Sequence, residues 1–348
     1  MSKFRYPNKR LLMKRNVTVK TLAEQLNISI ATVSKALSDS HEISAETKQR
    51  VLDLARTLNY ERNPAASNLR SHRTSTIAVI IPDVANNFFS LAIKGIEEIA
   101  RTHNHHVLIY QTHEDSAAEI AFTNSLISGR VDGILISVTR SAGNLAHFQS
   151  LIRQIPVVFF DRSIEIPDAF SITTDDYESA YQATRHLAEK GCRKIIFLQG
   201  LDRLATGQRR LRGYLDALND SGLEQLQPVA LAANTDPQLI RDGIRQAIIG
   251  EKPDGVLSSI EEFVVPCYYV CRELGIDMPG ALKLVSFSNL PTAPLLHPAL
   301  STITQPAFEM GRVAASCLFQ ILHKREVDLL SLPGLHSQLI ERESSALV

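Results

Sequence analysis

Val17-Thr18-Val19-Lys20-Thr21-Leu22-Ala23-Glu24-Gln25-Leu26-Asn27-Ile28-Ser29-Ile30-Ala31-Thr32-Val33-Ser34-Lys35-Ala36-Leu37 is the stretch that decides how the front of this 348-residue chain folds. Thr18 is an N-cap residue, and Val19, Leu22, Ala23 and Leu26 then fall on one helical face. Asn27 tolerates the left-handed backbone of a sharp turn. Ile28 reads as a buried plug, and Ser29 caps a second helix from Ile30 to Leu37 with Val33, Ala36 and Leu37 as its apolar stripe. Ser38 to His41 break the pattern. Ser44 then caps a third helix, Ala45 to Asn59, with Val51, Leu54, Ala55 and Leu58 inward. Two short helices joined by a tight turn and braced by a third make a helix-turn-helix, whose second helix enters the major groove of DNA.

The charge distribution agrees. The whole chain carries 37 Lys+Arg and 37 Asp+Glu, but residues 1–73 hold 14 basic against 6 acidic side chains and the remainder 23 against 31. A basic head on an acidic body is the signature of a polyanion-binding module joined to a separate domain. Apolar residues at 44% and charged residues at 21% are ordinary globular usage. No apolar run approaches the length of a membrane span. Residues 1–16 form a basic extension without the apolar core of a secretory signal, and Met13 is an alternative start. Cys192, Cys267, Cys271 and Cys317 show no disulfide-framework spacing, so the expectation is a cytoplasmic protein.

Asn63-Pro64-Ala65-Ala66-Ser67-Asn68-Leu69-Arg70 carries a second local signal: an N-cap candidate, a proline suited to the first helical turn, and helix formers behind it. So short a helix does not persist alone in water, because nucleation is costly. It is a candidate switch element between head and body. At this point Val17 to Leu37, Ile43-Ser44, Leu58-Asn59-Tyr60 and the Asn63 to Arg70 segment together resemble the DNA-binding head and hinge helix of the lactose/galactose-repressor (LacI/GalR) family.

After Thr74, short apolar strands alternate with helices. Strands are expected at Thr76 to Ile81, Val107 to Tyr110, Gly133 to Ser137, Val157 to Phe160, Lys194 to Leu198, Gly255 to Ser259 and Lys283 to Phe287. Helices are expected at Phe89 to Thr102, Ala117 to Ser128, Leu145 to Arg153, Tyr177 to Glu189, Arg209 to Asn219, Pro237 to Ile249 and Val264 to Leu274. This is an α/β body of two doubly wound parallel sheets, with a ligand cleft at the carboxyl ends of the strands. Ile80 to Phe89, Arg130 to Ile134, Val157 to Arg162 and Pro298 to Gly311 resemble the periplasmic-binding-protein-like core of the same family. The resemblance implies a helix-turn-helix domain over 17–62, a hinge over 63–73 and an effector-binding and dimerisation domain over 74–348. It also implies three crossings between lobes, near 172, 303 and 332, so that lobe 1 takes 74–172 and 303–332 and lobe 2 takes 173–302 and 333–348.

The same resemblance places Ile30, Ala31 and Lys35 on the groove face. Lys35 can donate to guanine, while Ile30 and Ala31 can only meet thymine methyl groups. The alternative for Ile30 is a packed staple under the helix. Ser29, Thr32 and Ser34 are phosphate-contact candidates, and Thr18 and Val19 join them as DNA-binding residues. Leu69, with Ala66 beside it, resembles the family's minor-groove lever. In the cleft, Phe88 and Phe89 can stack on a sugar or ring face, and Asp161 can accept from hydroxyls. Here the chain departs from the family pattern: Gln208 followed by Arg209 where Arg is frequent, Ile260-Glu261 where an Asn-Asp pair is usual, Phe287-Ser288-Asn289 for Phe-Asp-Asp, and Asn234 for an aromatic. Gln208, Arg209, Glu261 and Asn289 remain as polar contacts for a small-molecule effector, a sugar or sugar derivative.

No Gly-x-Ser-x-Gly elbow, phosphate-cradling loop or His-Glu-x-x-His site is present, which argues against an enzyme. His103, His105, His106 and His113 read as a solvated turn, Cys267 and Cys271 as core residues, and no cofactor or metal is expected. The reading is a homodimeric, effector-controlled transcriptional regulator, a repressor on a pseudo-palindromic operator, with no membrane partner. An effector-independent DNA binder and a solute-binding protein are the alternatives.

Overall fold

A computed structural model describes residues 17–60, 74–140, 146–162, 166–167, 169–231, 236–325, 327 and 334–347. The expected hinge helix with Ala66 and Leu69, the basic extension, and Asn234 lie outside the described residues. The chain divides into two compact units, Met1–Ser71 and His72–Val348.

The head contains α1 (Val19–Leu26), α2 (Ile30–Leu37) and α3 (Ala45–Thr57). Local chemistry sets each boundary. The Thr18, Ser29 and Ser44 hydroxyls accept from the backbone N–H groups of Thr21, Thr32 and Thr47, and Asn27 turns the chain with φ 54°. Helix α3 stops at Thr57, two residues before the expected end, because Asn59 takes a left-handed backbone with φ 47°. Leu22, Ala23, Val33, Ala36, Val51 and Ala55 form a small core, against which Ile28 is only partly buried.

Lobe 1 of the body is built on β1 (Thr76–Ile81), β2 (His106–Gln111), β3 (Gly133–Ile136), β4 (Val157–Phe160) and β5 (Phe170–Ile172). Its sheet order is β2-β1-β3-β4-β5, all parallel. Helices α4 (Asn87–Thr102), α5 (Ser116–Leu126) and α6 (Ala146–Ile152) connect the strands. Strand β1 explains why these runs are apolar throughout. Ile77, Val79 and Ile81 enter one core cluster while Ala78 and Ile80 enter another, so both faces are covered.

Lobe 2 holds β6 (Ile195–Gln199), β7 (Val229–Ala230), β8 (Gly255–Ser258), β9 (Lys283–Phe287), β10 (Ser301–Thr304) and β11 (Gln338–Ile340), in the order β11-β10-β9-β8-β6-β7. Its helices are α7 (Asp176–Glu189), α8 (Ala205–Asp220), α9 (Pro237–Glu251) and α10 (Val264–Leu274). One pairing departs from the expected all-parallel sheets, since β11 runs antiparallel to β10. Helix α11 (Ala307–Leu322) returns to cover lobe 1 beside α4. Ser301 to Ile303 still pair with β9 of lobe 2, and the return follows Thr304.

Helices α4 and α11 touch backbone to backbone. A Cβ on Gly95 would lie 2.1 Å from the Phe308 carbonyl oxygen, and one on Gly311 2.0 Å from that of Ala92. Gly311→Ala should therefore destabilise the body by about 1–3 kcal/mol in urea unfolding. Gly250→Ala, at a helical site where an added methyl meets nothing within 4 Å, should instead leave stability unchanged or raise it by up to about 1 kcal/mol.

Candidate functional site

The head presents one unfilled face. Ile30, Ala31 and Lys35 are exposed along α2: Ala31 and Lys35 lie on the side away from Val33 and Ala36, and Ile30, three residues before Val33, lies at the margin of the buried face. Ile30 keeps 49% of its surface exposed and is not among the buried residues of the head core. The Lys35 ammonium is paired with the Glu42 carboxylate just past the helix. Thr18 and Ser29 use their hydroxyls as caps, and the Ser29 and Thr32 hydroxyls share a 2.8 Å hydrogen bond. Val19 packs partly against the head core, and Ser34 is half-buried with its carbonyl accepting from the Ser38 hydroxyl. The first turns of α1 and α2 leave backbone N–H groups pointing outward, as every helix start does.

The body presents a cleft at the carboxyl ends of β1, β4, β6, β8 and β9. Asn86 caps α4, and the adjacent Phe88 and Phe89 line the cleft while packing edge to face at 5.3 Å. Asp161, just past β4, takes a left-handed backbone with φ 60° and is buried. Its carboxylate accepts from the Ser137 hydroxyl at 3.3 Å, and its carbonyl oxygen accepts from the Thr206 hydroxyl of lobe 2 at 3.0 Å. Opposite, Arg210 lies 4.0 Å over the Phe287 ring and donates to Asp176 at 2.9 Å and to the Ser259 carbonyl.

Two contacts tie the lobes at one turn. Glu261 accepts from Asn87 of lobe 1 at 2.8 Å, and also from the Ser288 hydroxyl and the Asn289 backbone, each at 2.8 Å. Glu262 accepts from the Arg140 guanidinium of lobe 1 at 3.0 Å. Arg140 and Arg162 both reach Glu114, at 3.2 and 2.6 Å. The Asn289 side chain is spent on the Gln305 backbone. Free space between these groups is about 50 Å³, room for a few waters and far below the roughly 300–1,000 Å³ of ligand pockets. A sugar-sized molecule enters only when the lobes part or the arginines swing away.

The model for "Bacterial regulatory proteins, lacI family" matches residues 18–63, and that for "Periplasmic binding proteins and sugar binding domain of LacI family" matches residues 74–332. The chain belongs to the LacI family. Catabolite control protein A of Staphylococcus xylosus is 29% identical over 317 residues, covering 90% of this chain and 94% of that one. The lac repressor dimer bound to operator and the anti-inducer ONPF superposes with a TM-score of 0.81 at 21% identity, covering 95% and 100%. A periplasmic binding protein/LacI transcriptional regulator from Alkaliphilus metalliredigens, complexed with D-xylulofuranose, gives 0.66 at 26% identity over 78% and 98%. This LacI-family chain is a DNA-binding transcription regulator with a ligand-binding body, and not an enzyme.

Of the seven cleft residues expected from the sequence of this LacI-family body, Phe88, Phe89, Asp161, Glu261 and Asn289 line the cleft, and Gln208 and Arg209 do not. Gln208 is exposed and donates to the Asp202 carbonyl, while Arg209 reaches the back of Asp176 at 3.4 Å. Helical period is the reason: Thr206, Gly207, Arg210, Gly213, Tyr214 and Ala217 form the buried face of α8, so Arg210 is the inward arginine. The spacing of small and apolar residues around Arg210 already carried that signal. Arg140, in a turn, and Glu262, in a single 3-10 turn, have no apolar periodicity around them and carried none.

Beyond the cleft, only His113 sits in a solvated turn; His106 is exposed but opens strand β2, His103 stacks on Phe319 at 4.1 Å, and His105 pairs with Asp132 at 3.1 Å. Cys267 and Cys271 are buried, and among the described residues no His, Cys, Asp or Glu group is arranged to hold a metal. No helix among them is long and apolar enough to cross a membrane.

Burial pushes the Asp161 carboxyl up to about 6, against the pull of Arg162 and Arg210. The folded state thus keeps this proton up to about pH 6, while the unfolded chain releases it near 3.8. The group favours folding most below about pH 4 and loses that contribution as pH rises through 6. Asp161→Asn should raise the melting temperature near pH 7.5, by the equivalent of about 1–3 kcal/mol. The gain should shrink towards pH 5, which thermal scans at the two pH values would measure.

Proposed function

We propose that this protein represses transcription by binding a pseudo-palindromic operator as a homodimer, and that a small polar effector in the cleft of each body changes its affinity. The observation that carries this reading is the exposed row Ile30, Ala31 and Lys35 on a helix whose other side fills the head core. Lys35 leaves Glu42 to donate to guanine O6 and N7, and Ile30 and Ala31 select thymine methyl groups. Thr18, Val19, Ser29, Thr32 and Ser34 set the register on phosphates through hydroxyls and helix-start N–H groups. The Asn63 to Arg70 helix forms on the duplex, where Leu69, flanked by Ala66, wedges the minor groove and bends the DNA.

Dimer formation has surface to use. Leu91, Leu108 and Ile109 are exposed around the free edge of β2 in lobe 1, and Val265, Tyr269 and Leu295 are exposed in lobe 2. An apolar, unpaired strand edge is a ready pairing surface. For the effector, Phe88, Phe89, Asp161, Asn289, Arg140 and Arg210 are the contacts we assign. The relative bound to D-xylulofuranose favours a sugar-like molecule. Ile260 and Ser288 remove hydroxyl-reading groups, which favours a sugar derivative over a plain monosaccharide.

Selection of bound sites from a random duplex pool, followed by titration with a metabolite library, tests the whole reading. Recovery of no common sequence rejects it, and an operator affinity indifferent to every metabolite rejects the effector half. Leu69→Ser should cost operator affinity at least tenfold and leave nonspecific binding nearly unchanged; equal losses on both would sink the wedge. In the intact protein, log affinity should fall with log salt by about 0.9 per phosphate contact. Ile109→Asp together with Tyr269→Asp should give monomers by sedimentation and abolish tight binding to the full operator.

A further inference from the structure

At the opposite end of the lobe 1 sheet from the cleft lies a second cavity, of about 280 Å³. The turns that lead into β3 and β4 and the end of α11 enclose it. Its apolar floor includes Ile155, Pro156, Phe319 and Leu322, and His105, Asp132, Gln154 and His323 stand on its walls. It is larger than the free space in the cleft and close to the lower bound of small-molecule pockets.

The polar groups on its walls are unbalanced. Asp132, the one carboxylate lining it, is already spent on the protein: it accepts from the Thr74 backbone at 2.6 Å, the Thr74 hydroxyl at 3.0 Å, the Ser75 backbone at 2.9 Å and His105 Nε2 at 3.1 Å. His105 Nδ1 faces the His103 carbonyl oxygen at 2.8 Å, so both nitrogens of this ring meet oxygens of the protein. The His323 ring lies 5.3 Å from the His103 ring and makes no side-chain hydrogen bond among the described residues. What the cavity offers a visitor is an apolar bed, the His105 and His323 rings and the Gln154 amide oxygen, while its one carboxylate is already taken.

We propose that this cavity is a second small-molecule site, taking a compact carboxylic acid with an apolar or aromatic body, and that its occupancy alters operator affinity through Asp132. The acid group pairs with His323 at the rim while the body lies against Phe319 and Leu322. Asp132 is the link to DNA binding. It fixes Thr74 and Ser75, the residues through which the chain enters the body after the expected hinge, so a ligand that shifts His105 shifts that anchorage. Asp132, His105 and His323 are the titratable groups on its walls, with His103 and Arg325 beside it, and burial together with repulsion from His323, His105 and Arg325 holds His103 below its usual range. A bound carboxylate relieves that repulsion, so binding takes up protons and tightens as pH falls.

Calorimetry of the full chain with benzoate, and with its neutral counterpart benzamide, tests the site without DNA. The expected result is benzoate binding several-fold tighter near pH 6 than near pH 8, and far tighter than benzamide. Binding should be lost in His323→Ala and in the exposed-site plug Gln154→Trp, and kept in the cleft variant Asp161→Asn. Saturating benzoate should then change affinity for the selected operator several-fold. No benzoate heat at millimolar concentration, equal binding of benzamide, loss only in Asp161→Asn, or binding with no change in operator affinity would each overturn the proposal. The operator readout rests on the regulator reading; failure of that reading shows as no operator at all, with the calorimetry unaffected.

Discussion

Glu261 and Glu262 occupy one turn after β8, and each is held by a different side chain of the other lobe: Asn87 grips the first and Arg140 the second. Everything the cleft can do depends on that grip. The turn begins one residue after Ile260, which lines the cavity floor, so occupancy of the cleft and closure of the lobes are decided within three positions of the chain. The energetics suit a switch. A half-buried ion pair contributes little net stability, because desolvation offsets most of the Coulomb attraction, yet it is costly to leave either partner alone. A contact with so small a net contribution is one that couplings of about 1–3 kcal/mol are enough to bias.

The arginines around Asp161 show the same balance from another side. Arg162 and Arg210 pull its carboxyl towards ionisation, burial pushes harder the other way, and the result is a group poised near neutrality. Arg210 is itself committed to Asp176, Ser259 and the Phe287 ring. A ligand in this cleft has to exchange contacts with groups already satisfied by the protein, which sets specificity through what is displaced as much as through what is gained.

Legibility in the sequence followed the strength of local signals. Helix α2 ends where Ser29 and the broken pattern after Leu37 place its limits, and β4 is the bare apolar run Val157 to Phe160. Strand β10 gave no such signal. Ser301 and Thr302 are fully buried there, acceptable only because Arg342, Ser344 and Ser345 arrive from the far end of the chain to hydrogen-bond them. Helix α11 lacks the polar stripe that marks a surface helix, since α4 covers one side and the lobe 1 sheet the other. In the cleft, strand-end residues such as Asp161 were readable from their position, whereas choosing Arg210 over Arg209 required the register of α8.

The two ends of the lobe 1 sheet divide the work. The carboxyl end carries Phe88, Asp161 and the arginines, where loops converge on a cleft; the amino end carries Asp132, which binds the start of β1 through two backbone N–H groups. Parallel strands make this separation unavoidable, because every strand leaves the sheet at the cleft end and enters it at the other. The chain that arrives from the DNA-binding head must enter at the amino end of β1, the end furthest from the effector. A signal from the cleft therefore has to cross the length of the sheet as a rigid-body change of lobe 1. A stiff apolar core packed on both faces of β1 is what transmits such a displacement without absorbing it.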